Sequence, residues 1–369
     1  MRRLILIIIL LSACSGGSND NSSQPPAQNP PATQQDPPGV LAISAYYYTE
    51  PPVTGNTDLY NRYLEALQLI RNTGVSGQFQ SYLWSELEPA VGVYDNAKLT
   101  DFVSTMNSAE QNGLVQLVGL QAINTIPREV PAGLETADWD SNSMVQAFEG
   151  LLDQLLPYMQ GRVTYLSIGN EVDVYFESGH MGELAAYKTF FNAIQTYLAG
   201  RLPEAQLGIT ITAGGWLGNN VQSWLDLTDS SDVLITTYYP LQPDFSVRPP
   251  NAAVADFPNL IALAGNKPLV FQEVGYPSSS VGDSSEALQA EFVRQTFSAW
   301  RDANGRIPFL NWFLLHDFST DVVDELTGYY GINNANFRAY LDSLGLRNRD
   351  NTDKQAWPVL LQETEQFRQ

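Results

Sequence analysis

Eight short apolar runs, separated by amphipathic stretches of helical length, predict an α/β fold of the (β/α)8 barrel class. Chain length agrees: roughly 330 residues follow position 40, enough for a barrel with long loops. No glycine-rich phosphate loop follows the first run, which counts against a doubly wound open sheet.

In order, the strand candidates are Val40–Tyr46, Ser76–Tyr82, Val115–Leu120, Val163–Ile168, Leu207–Thr212, Val233–Thr237, Leu269–Gln272 and Phe309–Phe313. Each is short and apolar, as a strand covered on both faces must be. Between the first two, Asp58–Asn72 carries Leu59, Tyr63, Leu67 and Ile70 at helical spacing. Next, Ala97–Asn112 ends at Gly113, a residue suited to the left-handed turn after a helix. Met144–Met159, Glu183–Ala199, Val221–Leu227, Val254–Ala264 and Ser285–Ala303 fill the following gaps, and Asn334–Leu344 is the candidate eighth helix. Past Leu346 the chain is polar apart from Trp357–Leu361, read as a closing segment.

The N-terminus lies outside this pattern. Met1–Arg3 is a positive cap on the apolar run Leu4–Leu11, too short to span a bilayer, so it reads as a signal peptide. Leu11-Ser12-Ala13-Cys14 resembles a bacterial lipobox, which implies cleavage before Cys14 and lipidation of it. Residues 15–39 are rich in Ser, Asn, Gln and Pro and cannot repay the entropy of ordering, so they read as a tether. The expectation is residues 1–14 as leader and lipobox, 15–39 as tether and 40–369 as one catalytic barrel. Ser15 after the cysteine resembles the outer-membrane type of Gram-negative lipoprotein. That implies a cell-envelope location, with the membrane reached through the lipid anchor only.

The chain holds 40 acidic against 19 basic residues, for a net charge of −21. Such a surface repels nucleic acid and anionic polymers. With Cys14 the only cysteine, no disulfide forms within the barrel. His180 and His316 form no ligand-spaced cluster, so no metal or other cofactor is expected, and a monomer is the simplest state.

Chemistry in such a barrel sits where strands end. The fourth run leads into Gly169-Asn170-Glu171, and the seventh into Gln272-Glu273-Val274-Gly275-Tyr276-Pro277. Two carboxyls over one mouth can flank a glycosidic oxygen, one donating a proton while the other attacks the anomeric carbon.

These two elements, with Trp84…Glu88-Pro89…Gly92-Val-Tyr94 after the second run, resemble the clan A retaining glycoside hydrolases of the TIM-barrel superfamily over Val40 to about Leu344. That resemblance implies Glu171 as acid/base, Glu273 as nucleophile and Asn170 on a substrate hydroxyl. Tyr238 would orient Glu273, with Tyr239 competing because strand alternation turns only one inward. Trp312 would floor the site and Trp216 would stack a sugar. Tyr46, Gln80, Asn124 and His316 are further candidates for sugar hydroxyls.

The chain departs from the commoner families of the clan, which carry an Arg near the end of the second strand and a His or Asn after the third. Here those places read Gln78–Tyr82 and Gln121–Asn124. Glu273-Val-Gly-Tyr-Pro-Ser resembles β-1,3-glucanases, and Thr237-Tyr-Tyr-Pro240 resembles endo-β-1,4-galactanases. The implied activity is retaining, endo-type hydrolysis of a neutral β-linked carbohydrate. A transglycosylase and a non-catalytic glycan-binding lipoprotein on the same barrel are the alternatives.

Overall fold

A computed structural model describes residues 38–365. Nine strand segments build the sheet: β1 Val40–Ile43, β2 Gly77–Leu83, β3 Val115–Asn124, β4 Val163–Asn170, β5 Gln206–Gly208, β6 Thr210–Thr212, β7 Leu234–Tyr238, β8 Leu269–Val274 and β9 Phe309–Trp312. All pair in parallel, in the orders β2-β3-β4-β5 and β6-β7-β8-β9-β1. The two sets join through Ile209, which separates β5 from β6 in one interrupted strand. On the other side the Ser76 amide donates to Leu41 O at 3.1 Å. The result is the (β/α)8 barrel, with the predicted fifth strand broken in two.

Inside the barrel, Ala42, Phe79, Leu117, Tyr165, Val233, Ile235, Val270 and Phe309 pack as one apolar plug. Above it, towards the C-terminal mouth, the lining turns polar with Ser44, Ser167, Thr210, Gln272 and Asn311. Burying these groups is tolerable because most of their polar atoms bond to one another, Asn311 Oδ1 excepted. Ser167 and Thr210 share a 2.6 Å hydroxyl contact, and Asn311 Nδ2 donates to Ser44 Oγ at 2.8 Å.

Helices Asn56–Arg71, Asn96–Gln111, Asn142–Met159, Leu184–Leu198, Val221–Leu227, Ala252–Ala264 and Glu286–Asp302 surround the sheet close to the predicted bounds. Gly113 adopts φ 64°, the left-handed turn expected after the second of them. The last helix differs from the expectation. Ala356–Glu365, which contains the predicted closing segment, packs against Glu286–Asp302 and completes the outer ring. Ala335–Asp342, the predicted eighth helix, packs instead on Thr320–Tyr330, a helix outside the predicted set. These two lie over the barrel mouth. Lys354 pins them: its buried ammonium donates to Asp317 at 2.7 Å, Ser278 Oγ at 3.0 Å and Ser343 O at 3.1 Å.

Cys14 and residues 15–37 of the proposed tether lie outside the described residues. Among the described residues no helix is long and apolar enough to cross a membrane.

Candidate active site

At the end of β4 the backbone breaks step. Gly169 takes φ 87°, and a Cβ there would meet the Tyr187 hydroxyl at 2.5 Å, so only glycine fits. The turn aims Asn170 into the barrel and leaves Glu171 in the left-handed region at φ 48°. Both Glu171 oxygens are held: Thr237 Oγ1 donates to Oε1 at 2.7 Å and Thr125 Oγ1 to Oε2 at 2.8 Å. Burial pushes the Glu171 carboxyl above the usual carboxylate range, opposed by these two hydrogen bonds.

A bulge does the same work in β8. Thr236 pairs with Phe271 but Thr237 with Glu273, so Gln272 is an extra residue in the ladder. Gln272 and Glu273 therefore both serve the mouth. Gln272 Nε2 donates to Asn170 Oδ1 at 2.7 Å, and Gln272 Oε1 accepts from Thr210 at 2.8 Å. Tyr239 donates to Glu273 Oε2 at 2.6 Å. Gly275 makes room for that ring, since a Cβ there would sit 2.7 Å from Tyr239.

Burial, and after it the charge of Glu171, push Glu273 up to about 7. The charge of Glu171 opposes ionisation of Glu273, so the titrations of the two carboxyls belong to the pair. Burial and the Glu273 charge also push the Tyr239 phenol well up, so it stays a proton donor.

Over the pair lie two phenols from the covering helices. Tyr330 and Tyr340 both feel the charges of Glu171 and Glu273, and the Tyr340 ring meets Tyr239 edge-on at 5.3 Å. Beside the pair, a cavity of about 700 Å3 opens between the ends of β1, β2 and β3 and the Thr320–Tyr330 helix. Its walls include Tyr46, Gln80, Asn124, Glu129, Phe313 and Tyr329, but neither glutamate. Asn124 connects cavity and glutamates: Asn170 donates to it at 3.1 Å, and it donates to the Tyr329 hydroxyl at 3.0 Å.

Of the predicted residues, Glu171, Glu273 and Asn170 meet at the mouth, and Tyr46, Gln80 and Asn124 line the cavity. Four others sit elsewhere. Tyr238 points outward, buried against Phe257 and Phe271, with its hydroxyl on Asp256 at 2.9 Å; Tyr239 takes the place beside Glu273. Trp312 also points outward, against Phe292 of the Glu286–Asp302 helix, because Phe309 and Asn311 own the inward face of β9. Phe313 faces the cavity in its stead. Trp216 is buried in the short helix Ala213–Trp216, beside β7 and the helices Val221–Leu227 and Ala252–Ala264. His316 is buried and supports a loop, with Nδ1 on Tyr46 O at 2.6 Å and Nε2 on Asn351 Oδ1 at 3.0 Å.

Sequence reading missed Thr125, Thr237, Phe313 and the tyrosines 329, 330 and 340. Alternation from Tyr239 would have found Thr237, two residues earlier on the same strand face. Tyr329 and Tyr330 lie on the unrecognised helix Thr320–Tyr330, and Tyr340 lies on the predicted eighth helix, where nothing in the sequence placed it over the mouth. Among the described residues no group of His, Cys, Asp and Glu is arranged to hold a metal ion.

No family model matches the sequence, and no curated protein does either. Solved structures do match. The chain is similar to the exo-β-1,4-mannosidase Op5Man5 from Opitutaceae bacterium strain TAV5, at 16% identity and TM-score 0.68. That likeness covers 89% of this chain and 59% of the mannosidase chain, so this protein spans less than two thirds of it. A GH5_18 protein from Streptomyces cattleya in complex with GlcNAc is similar at 15% identity and TM-score 0.67, over 89% and 80% of the two chains. A family 39 glycoside hydrolase from the gut symbiont Bacteroides cellulosilyticus WH2 follows at 17% and 0.56, over 89% and 64%. These neighbours are TIM-barrel glycoside hydrolases of clan A. At such identities the likeness establishes the barrel.

Proposed function

We propose that this protein is a retaining glycoside hydrolase that cleaves a neutral, β-linked glycan by double displacement. The observation that carries the reading is the pair itself. Two part-buried glutamates stand at the ends of β4 and β8, the charge of Glu171 raises the cost of ionising Glu273, and each has its own hydroxyl partners. One proton on two carboxyls is the state this chemistry starts from.

Glu273, ionised and oriented by Tyr239, attacks the anomeric carbon. Glu171 gives its proton to the glycosidic oxygen as that bond breaks, and the electron pair leaves with the oxygen. A glycosyl ester on Glu273 results. Water then attacks the anomeric carbon, gives its proton to Glu171 and releases Glu273. Asn170, fixed between Gln272 and Asn124, meets a sugar hydroxyl beside the reacting carbon. The neighbouring cavity has the volume for a short stretch of sugar chain.

The test is release of reducing ends from β-glucans, galactans, mannans and xylans, with the Glu273→Ala protein as control. One of these polymers is cleaved by the wild type only, and proton NMR of the first product shows the β anomer. Oligomeric products mark the internal cleavage expected from the sequence, and monosaccharide marks cleavage from an end. Transfer to added sugar marks a transglycosylase. Binding without cleavage across the panel would replace this reading with the glycan-binding one. We also propose lipid attachment at Cys14. Metabolic labelling with palmitate is expected to mark the wild-type protein and not Cys14→Ala; equal labelling would refute it.

A further inference from the structure

Building on the hydrolase reading, we propose that Thr125 and Thr237 are positioning residues that clasp the Glu171 carboxyl, one hydroxyl on each oxygen, so that it can both release and recover a proton.

The clasp closes from two sides. Thr237 comes from β7, on the same strand face as Tyr239, while Thr125 follows β3. Thr125 takes φ 57°, a left-handed conformation that β-branched residues rarely adopt, and Glu171 takes φ 48°. The two strained residues are tied together: the Thr125 amide donates to Asn170 O at 2.8 Å, and its hydroxyl reaches Glu171. Such strain persists only where surrounding contacts over-determine it.

The chemistry explains the need. The titratable groups facing Glu171 are Asp173 on its own loop, Glu273 on β8, the Tyr239 phenol after β7, and the Tyr330 and Tyr340 phenols from the covering helices. The carboxylates among them oppose a negative charge on Glu171, and so does burial. Left to these neighbours, Glu171 would hold its proton and serve poorly as the donor. When the proton moves to the glycosidic oxygen, the new carboxylate meets two hydroxyl donors already in place. When water later returns a proton, a threonine hydroxyl can turn and accept from the neutral acid. No backbone adjustment is needed at either step, the arrangement that electrostatic preorganisation requires.

The test substitutes each threonine by Val, which keeps shape and removes the hydroxyl, and by Ser, which restores it. Glutamate side-chain carboxyls are labelled with carbon-13, and the Glu171 resonance is assigned by its loss in Glu171→Gln. The Val variants are expected to move the Glu171 titration upward by about one pH unit, with Ser returning it. On whichever 4-nitrophenyl β-glycoside the wild type hydrolyses, the Val variants are expected to lose kcat about tenfold at unchanged KM. An unmoved Glu171 titration in both folded Val variants overturns the clasp. A moved titration in a protein that cleaves no glycoside upholds the clasp and defeats the hydrolase reading, so the two failures are distinct.

Discussion

Replacing Glu273 with Gln is expected to stabilise the protein at alkaline pH while removing the nucleophile. Burial and the neighbouring Glu171 charge shift the Glu273 carboxyl from its ordinary 4.5 to about 7. Between those values the folded protein keeps a proton that the unfolded chain has released, so stability falls as pH rises through the window. A gap of about 2.5 pH units at 1.36 kcal/mol each sets a ceiling of about 3 kcal/mol at pH 8. Residual solvent access and relaxation of Tyr239 reduce this to roughly 1–2 kcal/mol. Gln carries no charge to desolvate, and its amide oxygen still accepts the Tyr239 hydroxyl. The assay is urea unfolding of both proteins at pH 4 and pH 8. The variant's midpoint should exceed the wild-type midpoint at pH 8 at equal slope, and the difference should close at pH 4, where both states of the wild type hold the proton. An equal or lower midpoint for Glu273→Gln at pH 8 would refute the claim that this charge is held at a cost.

Three further outcomes follow from the same contacts. In Glu171→Gln, loss of the neighbouring charge lets Glu273 ionise at lower pH, so the acidic limb of kcat/KM should move down on a 2,4-dinitrophenyl glycoside, whose leaving group needs no acid; an unmoved limb would separate the two carboxyls. Tyr239→Phe removes the donor to Glu273 and should cut kcat about tenfold or more, whereas Tyr238→Phe should cost about 1 kcal/mol of stability and leave KM alone. Lys354→Met strands the buried Asp317 and should destabilise by about 3–5 kcal/mol in denaturant unfolding, with Asp317→Asn in the same chain recovering much of it.

The strands were legible because burial on both faces makes them continuous apolar runs. The same property hid which way their side chains point. In β9 the run Phe309-Leu-Asn-Trp312-Phe313 has a single polar residue, Asn311, on the same face as Phe309 and Phe313. No polar face therefore sets its phase, and Trp312 could be read into the site although Phe309 and Asn311 occupy the inward positions. Tyr238 and Tyr239 posed the same choice. The helix Thr320–Tyr330 was missed for a different reason. Val322, Val323, Leu326 and Tyr330 stand at helical spacing, but the helix covers the mouth instead of packing along the barrel, and Asn334–Leu344 already filled the place of the eighth barrel helix. Its absence from the reading removed Tyr329 and Tyr330 as well. Ala335–Asp342 buries Phe337 and Leu341 one turn apart, but its partners are this covering helix and the turn Ser280–Gly282, not the sheet.

The glutamates were legible by a signal of another kind. On a strand that alternates strictly, only one residue of Asn170-Glu171 or Gln272-Glu273 can face the mouth, and its neighbour must enter the apolar layer beneath the helices. A polar pair at the end of a buried strand is therefore costly unless the backbone breaks step. It does so twice here, through the positive φ of Gly169 and through the bulge at Gln272. Each break turns both residues of the pair to use: the amides Asn170 and Gln272 bond to each other across the barrel, and the acids Glu171 and Glu273 stand above them. The amide bond fixes the separation of β4 and β8 at the mouth, and with it the relation between the two carboxyls. Removing either amide should thus disturb both acids, although Gln272 itself need touch no sugar.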